Sequence, residues 1–257
     1  MSKTIAITGK GGVGKTTIAA LIIDQLIRRG CTPVLAVDAD PNCCLDSMLG
    51  VKVEKSLGTI REESRAIAGK GMSSGISKQQ LLELKISECL VEAEQFDLIA
   101  MGRPEGPGCY CYANNVLKSA MAEITSCYPW VVLDNEAGLE NLSRRIVQKV
   151  DVLIMVADPS RRGLDTLVRL SDLARGMEIQ YDQSVIIINR VRQSRQPGNL
   201  ETIKSGIGAD RLITLPDDDD LARLAEDGHA LFSLPDSNPV RQNIDGWIKQ
   251  VVNHENR

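Results

Sequence analysis

Short, almost continuously apolar runs punctuate the chain at 3–8 (KTIAIT), 32–39 (TPVLAVDA), 96–101 (FDLIAM), 130–134 (WVVLD), 151–158 (DVLIMVAD), 184–189 (SVIIIN) and 211–216 (RLITLP). Runs of this length, rich in Ile, Val and Leu, are the pattern of strands buried on both faces. Most intervals between them carry helical spacing instead. From Thr16 to Arg29, for example, Ile18, Leu21, Ile22, Leu26 and Ile27 fall on one side of a helix. The alternation predicts an α/β fold: a mostly parallel sheet with helices on both faces. No repeat, low-complexity tract or linker interrupts it, so a single domain over 1–257 is expected, with 69–78 (GKGMSSGISK) as a flexible loop.

Composition narrows the function classes. Apolar residues make up 43% and charged residues 25% of the 257, ordinary globular values, while aromatics at 3% leave the core to Ile, Leu, Val and Ala. A net charge of −4 provides no basic footprint for nucleic acid. No apolar run approaches the ~18–20 residues of a membrane span, and the N-terminal MSKTIAITGKGG has too short an apolar part for a signal or transit peptide. A cytoplasmic protein with neither nucleic acid nor membrane as partner is expected. Its seven cysteines, with Cys43 and Cys44 adjacent and Cys109 and Cys111 one residue apart, fit reduced thiols better than a disulfide framework.

The chemistry begins at TGKGGVGKTT, which matches G-x-x-x-x-G-K-[ST] at Gly9, Gly14, Lys15 and Thr16 between a predicted strand and a predicted helix. In this motif the glycines, with Gly11, Gly12, Val13 and Thr17 beside them, let backbone N–H groups wrap a phosphate at the positive end of the helix. Lys15 would contact the β- and γ-phosphates of ATP or the phosphates of ADP, and the Thr16 hydroxyl would ligate Mg²⁺. WVVLD leads four apolar residues to Asp134, a second Mg²⁺-holding position, and D-x-x-G closes at Gly138.

Lys10 makes the motif K-G-G-x-G-K-T-T, which resembles the deviant Walker A of the P-loop family containing the Min and Par ATPases and the nitrogenase iron protein. The resemblance implies a homodimer in which Lys10 reaches the partner's phosphates and hydrolysis needs dimerisation. VDADPN then resembles that family's switch I, with Asp40 orienting or deprotonating the attacking water and Asp38 near the Mg²⁺ shell. Gly138 belongs to switch II on the same basis. IIINRV and LPDDDDL resemble its adenine-side elements, implying that Asn189, Arg190, Pro216 and Asp217 contact the base. Asp218 to Asp220 fit that role or a helix cap with a solvated acidic turn equally well.

The remaining signal is MGRPEGPGCYCYANN at 101–115. Taken alone, Cys109 and Cys111 suit packing, a redox pair or metal binding. Ni²⁺ or Zn²⁺ accepts four thiolates, and one C-x-C supplies two, so a twofold axis would complete a Cys₄ site between subunits. Together with the deviant Walker A, DADPN and DNEAG, this loop resembles the CooC-type nickel-insertion ATPases that mature carbon monoxide dehydrogenase. The resemblance implies Ni²⁺ held by Cys109 and Cys111, Zn²⁺ as a substitute, and carbon monoxide dehydrogenase as client, with acetyl-CoA synthase as an alternative. Cys43 and Cys44 are either buried packing residues or a second thiol site, and Cys31, Cys89 and Cys127 are expected to be structural. Two other readings stand beside nickel delivery. One is an iron–sulfur scaffold ATPase. The other is a spatial regulator of the Min or Par type, for which the C-terminal Val240, Ile244, Trp247, Ile248 and Val251 would have to face a membrane rather than the core.

Overall fold

A computed structural model describes residues 2–59, 84–102, 121–139, 150–192, 194, 198 and 200–253. Its centre is an eight-stranded sheet ordered β3-β4-β2-β5-β1-β6-β7-β8. The strands are β1 (Lys3–Gly9), β2 (Val34–Asp38), β3 (Leu90–Glu92), β4 (Phe96–Ala100), β5 (Trp130–Asp134), β6 (Val150–Ala157), β7 (Tyr181–Val191) and β8 (Arg211–Pro216). Seven of them run parallel; β3 alone pairs antiparallel, on β4. The helices used below are α1 (Lys15–Arg28), α2 (Leu45–Met48), α3 (Arg161–Gly176), α4 (Leu200–Ile207), α5 (Asp219–Glu226) and α6 (Pro239–Asn253), with a short 3₁₀ turn at Leu231–Ser233.

Both faces of the sheet are apolar, which is why its strands read as unbroken hydrophobic runs. Along β6, Val152, Ile154 and Val156 join one cluster while Leu153, Met155 and Ala157 join the other. The first cluster holds α1 and α6 against the sheet; the second takes Leu167, Leu170 and Ala174 of α3. Val240, Ile244, Trp247, Ile248 and Val251 are all buried in the first cluster. The C-terminal helix is therefore docked on the core. A buried ion pair reinforces the contact: Arg241 of α6 meets Asp24 of α1 at 3.0 Å, both about 2% exposed. Asp24 also takes Arg28 Nε at 2.9 Å and Gln25 Nε2 at 2.7 Å, so its charge is compensated rather than stranded.

Three expectations are adjusted. β7 is longer than 184–189, because its first residues, Tyr181 to Gln183, are polar and partly exposed and carry no apolar run. β3 was not foreseen: two half-exposed residues and one exposed residue give no periodic signal. Asp218 proves to be a helix cap, its carboxylate accepting from the Leu221 N–H at 2.9 Å, with Asp219 and Asp220 in the first turn of α5. The segment 69–78 lies outside the described residues.

Candidate nucleotide-binding site

Parallel strands open their ligand crevice at their carboxyl ends, and the motif residues converge there. The loop 9–14 runs from β1 into α1. A side chain at Gly9 would strike the Val156 carbonyl of neighbouring β6. Gly14 is left-handed at φ +93°, and a Cβ there would come within 2.5 Å of Asn189 Nδ2, so two of the motif's glycines are sterically required. The end of β7 grips the loop from behind: Asn189 Nδ2 donates to the Val13 carbonyl at 2.9 Å and Arg190 Nη1 to the Gly12 carbonyl at 3.1 Å. In a trans peptide the N–H points opposite to the carbonyl, so the amides of Val13 and Gly14 are turned away from β7. The α1 helix begins without an acidic first turn or side-chain cap, leaving its positive end for an anion.

Lys15 is buried and arches back over the loop, Nζ donating to the Lys10 carbonyl at 3.3 Å. Lys10 itself is exposed. Asp38 and Asp134 are register partners on adjacent β2 and β5, each about 1% exposed. Asp38 accepts from the N–H groups of Asp40 at 3.0 Å and Leu45 at 2.9 Å, shaping the loop after β2. Burial nevertheless pushes its carboxyl up to about 6, those two N–H groups opposing the rise and the neighbouring Asp40 and Asp46 charges adding to it. Burial likewise pushes Asp134 up to about 7; the nearby Thr16 hydroxyl and Lys15 oppose the rise, and Asp38 and Asp40 add to it. Both Asp134 oxygens are buried without a well-formed hydrogen bond, Thr16 included.

These residues border a cleft of about 750 Å³ lined by Gly11, Gly12, Gly14, Lys15, Thr16, Asp40 and Arg190, together with Pro41, Asn42, Glu136 and Ala137. Its size suits a nucleotide. Asn189 and Val13 stand behind the wall, and Thr17 is half-buried outside the lining. Gly138, at φ +107°, is tied to β1 by its carbonyl, which accepts the Thr8 hydroxyl at 2.6 Å. Pro216 and Asp217 sit at the adjacent strand end without lining the cleft; the Asp217 carboxylate lies 3.5 Å from Arg192. Pro41, Asn42, Glu136 and Ala137 escaped sequence reasoning, although each lies inside a motif, D-A-D-P-N or D-N-E-A-G, whose flanking residues were chosen.

Mg²⁺ fits the donors present. The orphaned Asp134 carboxylate beside the Thr16 hydroxyl is what a hydrated, oxygen-seeking divalent cation satisfies, and such sites keep several waters and nucleotide phosphates as ligands. Cys109 and Cys111 lie outside the described residues, and among the described residues no group of three or more His, Cys, Asp or Glu is arranged to hold a metal. Cys44 is exposed and Cys43 half-buried with φ +48°, so neither packs in the core. Burial, with Asp38 nearby, raises both thiols above their ordinary range. Cys89 is buried, Cys31 partly so, and Cys127 is exposed, which removes a packing role for the last. No described helix is long and apolar enough to cross a membrane.

The geometry agrees with relatives found by comparison. An uncharacterized ATP-binding protein of Methanocaldococcus jannaschii is 38% identical over 250 residues, covering 97% of this chain and 98% of that protein. The carbon monoxide dehydrogenase accessory protein CooC of Rhodospirillum rubrum is 33% identical over 188 residues, covering 68% and 70%. Among solved structures, MinD of Aquifex aeolicus superposes with a TM-score of 0.70 at 20% identity, covering 98% of this chain and 97% of its own. The ParA family ATPase of Chlorobium tepidum superposes at 0.71, also 20% identical, covering 96% and 98%. These two similarities speak for the fold: an α/β P-loop architecture of the MinD/ParA type. The profile of the CobQ/CobB/MinD/ParA nucleotide binding domain matches residues 4–232, and the chain belongs to that family of P-loop ATPases.

Proposed function

We propose that the protein is an ATP-dependent metallochaperone: one ATPase domain that dimerises with its copy, binds Ni²⁺ through Cys109 and Cys111, and supports insertion of the metal into the nickel–iron–sulfur cluster of carbon monoxide dehydrogenase. The similarity to CooC of Rhodospirillum rubrum carries this reading. The C-x-C supplies soft thiolate ligands suited to Ni²⁺ or Zn²⁺.

In this account the loop 9–14 and Lys15 bind the phosphates of ATP, and Thr16 and Asp134 hold Mg²⁺, which neutralises charge on the phosphates when bound. Asp38 keeps switch I folded over the site and Asp40 orients the attacking water. Exposed Lys10 is available to reach the partner's nucleotide, so the dimer closes only when ATP is present. Gly138, hydrogen-bonded to β1, lets switch II follow the γ-phosphate. Asn189 and Arg190 brace the loop, and Arg190 lines the cleft where the base would lie, with Pro216 and Asp217 at the adjacent strand end. Metal and nucleotide both favour the same closed dimer and so affect each other's affinity. Val240, Ile244, Trp247, Ile248 and Val251 of α6 are spent on the core, which favours this reading over that of a membrane-bound regulator. The test is reconstitution in which nickel-free carbon monoxide dehydrogenase is incubated with the protein, Ni²⁺ and ATP. Activation should require all three; activation equally fast with Ni²⁺ alone would defeat the reading.

A further inference from the structure

Four carboxylates surround the cleft, and their hydrogen bonds divide the work among them. Asp38 commits both oxygens to the N–H groups of Asp40 and Leu45. Asp134 is buried beside Thr16, where the cation fits. Asp40 gives one oxygen to the Asn42 N–H at 2.8 Å. Glu136 lines the same cleft and has no hydrogen-bond or ion-pair partner among the described residues. Apart from Asp134, whose unpartnered oxygens lie where the cation fits, it is the one of these carboxylates with all its acceptors uncommitted among the described residues.

The backbone carrying it is nevertheless fixed. Asn135 is buried and bonds the Ile7 carbonyl twice, through its N–H at 3.1 Å and Nδ2 at 2.9 Å. Gly138 accepts the Thr8 hydroxyl at 2.6 Å. Strand β1 therefore clamps the segment on both sides of Glu136 and Ala137, which line the cleft. Because β2 and β5 are neighbours in the sheet, the loops bearing Asp40 and Glu136 emerge side by side. A clamped backbone with an unengaged carboxylate beside the phosphate loop is the arrangement expected of a group held ready for a ligand atom.

We propose that Glu136 is a second catalytic carboxylate, taking the proton of the water that attacks the terminal phosphate of a nucleoside triphosphate, with Asp40 orienting that water from the adjacent loop. This rests on the reading of the cleft as an ATPase site. The water oxygen bonds to the γ-phosphorus while the bond from that phosphorus to the β–γ bridging oxygen breaks, its electron pair leaving with the diphosphate. The water's proton passes to Glu136 and on to solvent or phosphate, so ATP and water give ADP, phosphate and a proton.

The experiment compares wild type, Glu136→Gln and Glu136→Asp in the full chain. It measures steady-state phosphate release, the affinity for a fluorescent ATP analogue, and the dimer fraction in ATP by light scattering. Glu136→Gln should lower kcat about 100-fold or more, the scale of a lost general base, with nucleotide affinity within about 3-fold and the dimer fraction unchanged. Glu136→Asp should fall between the two. A kcat for Glu136→Gln within about 3-fold of wild type overturns the proposal. So does a loss of nucleotide affinity as large as the loss in kcat/KM, which would make Glu136 a binding residue. A wild type that binds ATP but never hydrolyses it would instead remove the ATPase reading on which the proposal stands.

Discussion

Replacing Asp134 by Asn should make the nucleotide-free protein relatively more stable as pH rises, an unusual sign for loss of a motif residue. Asp134 is about 1% exposed with both oxygens unpartnered, and burial raises its carboxyl from an ordinary 3.8 to about 7. An acid raised on folding is protonated in the native state where it is ionised in the unfolded one. Folding then takes up protons, and stability falls as pH climbs from about 4 to about 7. A displacement of that size corresponds to about 4 kcal/mol once the group is fully ionised. Between about pH 5.5 and about pH 8 roughly 2 kcal/mol of it should appear. At roughly 2–4 °C per kcal/mol for a chain of this length, wild type should lose about 4–8 °C of Tm relative to Asp134→Asn across that window. The buried Asn amide brings its own cost of about 1–3 kcal/mol, but that cost is independent of pH and cancels in the comparison. Asp38 is present in both proteins, so its titration cancels to first order. The assay is scanning calorimetry of both proteins at several pH values without nucleotide, then with Mg²⁺ and ATP. In the second condition wild type should gain more, because only it offers the carboxylate to the cation. Parallel Tm–pH curves for the two proteins would refute the reasoning.

Three further outcomes are expected. Lys10→Ala should reduce ATP hydrolysis on the order of 10³-fold, the scale of a charge supplied in trans, while fluorescence titration finds nucleotide affinity nearly unchanged; normal turnover would sink the trans-lysine assignment. Gly14→Ala forces a left-handed φ of +93° on a side chain that meets Asn189 Nδ2 at 2.5 Å, so ATP affinity measured by calorimetry should fall more than about 10-fold. Trp247→Ala empties a site about 3% exposed between α6 and the core; the usual cost of about 3–5 kcal/mol is reduced by removing an unpartnered Nε1–H, leaving about 2–4 kcal/mol in urea unfolding.

The sheet was legible wherever strands were buried on both faces. β5 begins and ends where its apolar run does, because all five of its residues are buried. The signal failed where burial was partial: β3, and the polar start of β7. The phosphate loop was legible because two of its glycines, Gly9 and Gly14, are fixed by close approaches to the Val156 carbonyl and the Asn189 side chain. Its bracing by Asn189 and Arg190 was not, since hydrogen bonds between residues distant in sequence leave no periodic trace. Glu136 was overlooked for the same reason. Its availability depends on what Asp38, Asp40 and Asn135 have already bonded, and only coordinates show that. Cys43 and Cys44 read in sequence as packing residues or a second thiol site, since cysteine is usually buried, whereas the loop after β2 leaves Cys44 exposed and Cys43 half-buried.

The most direct test of nickel delivery by a nucleotide-switched dimer is the nickel stoichiometry measured together with oligomeric state, by equilibrium dialysis and light scattering. It compares wild type with the double variant Cys109→Ala/Cys111→Ala. The account predicts one Ni²⁺ per dimer in wild type, lost in the variant, with the dimer favoured when metal and ATP are both present. Nickel binding that survives in the variant, or is absent from both proteins, would contradict it.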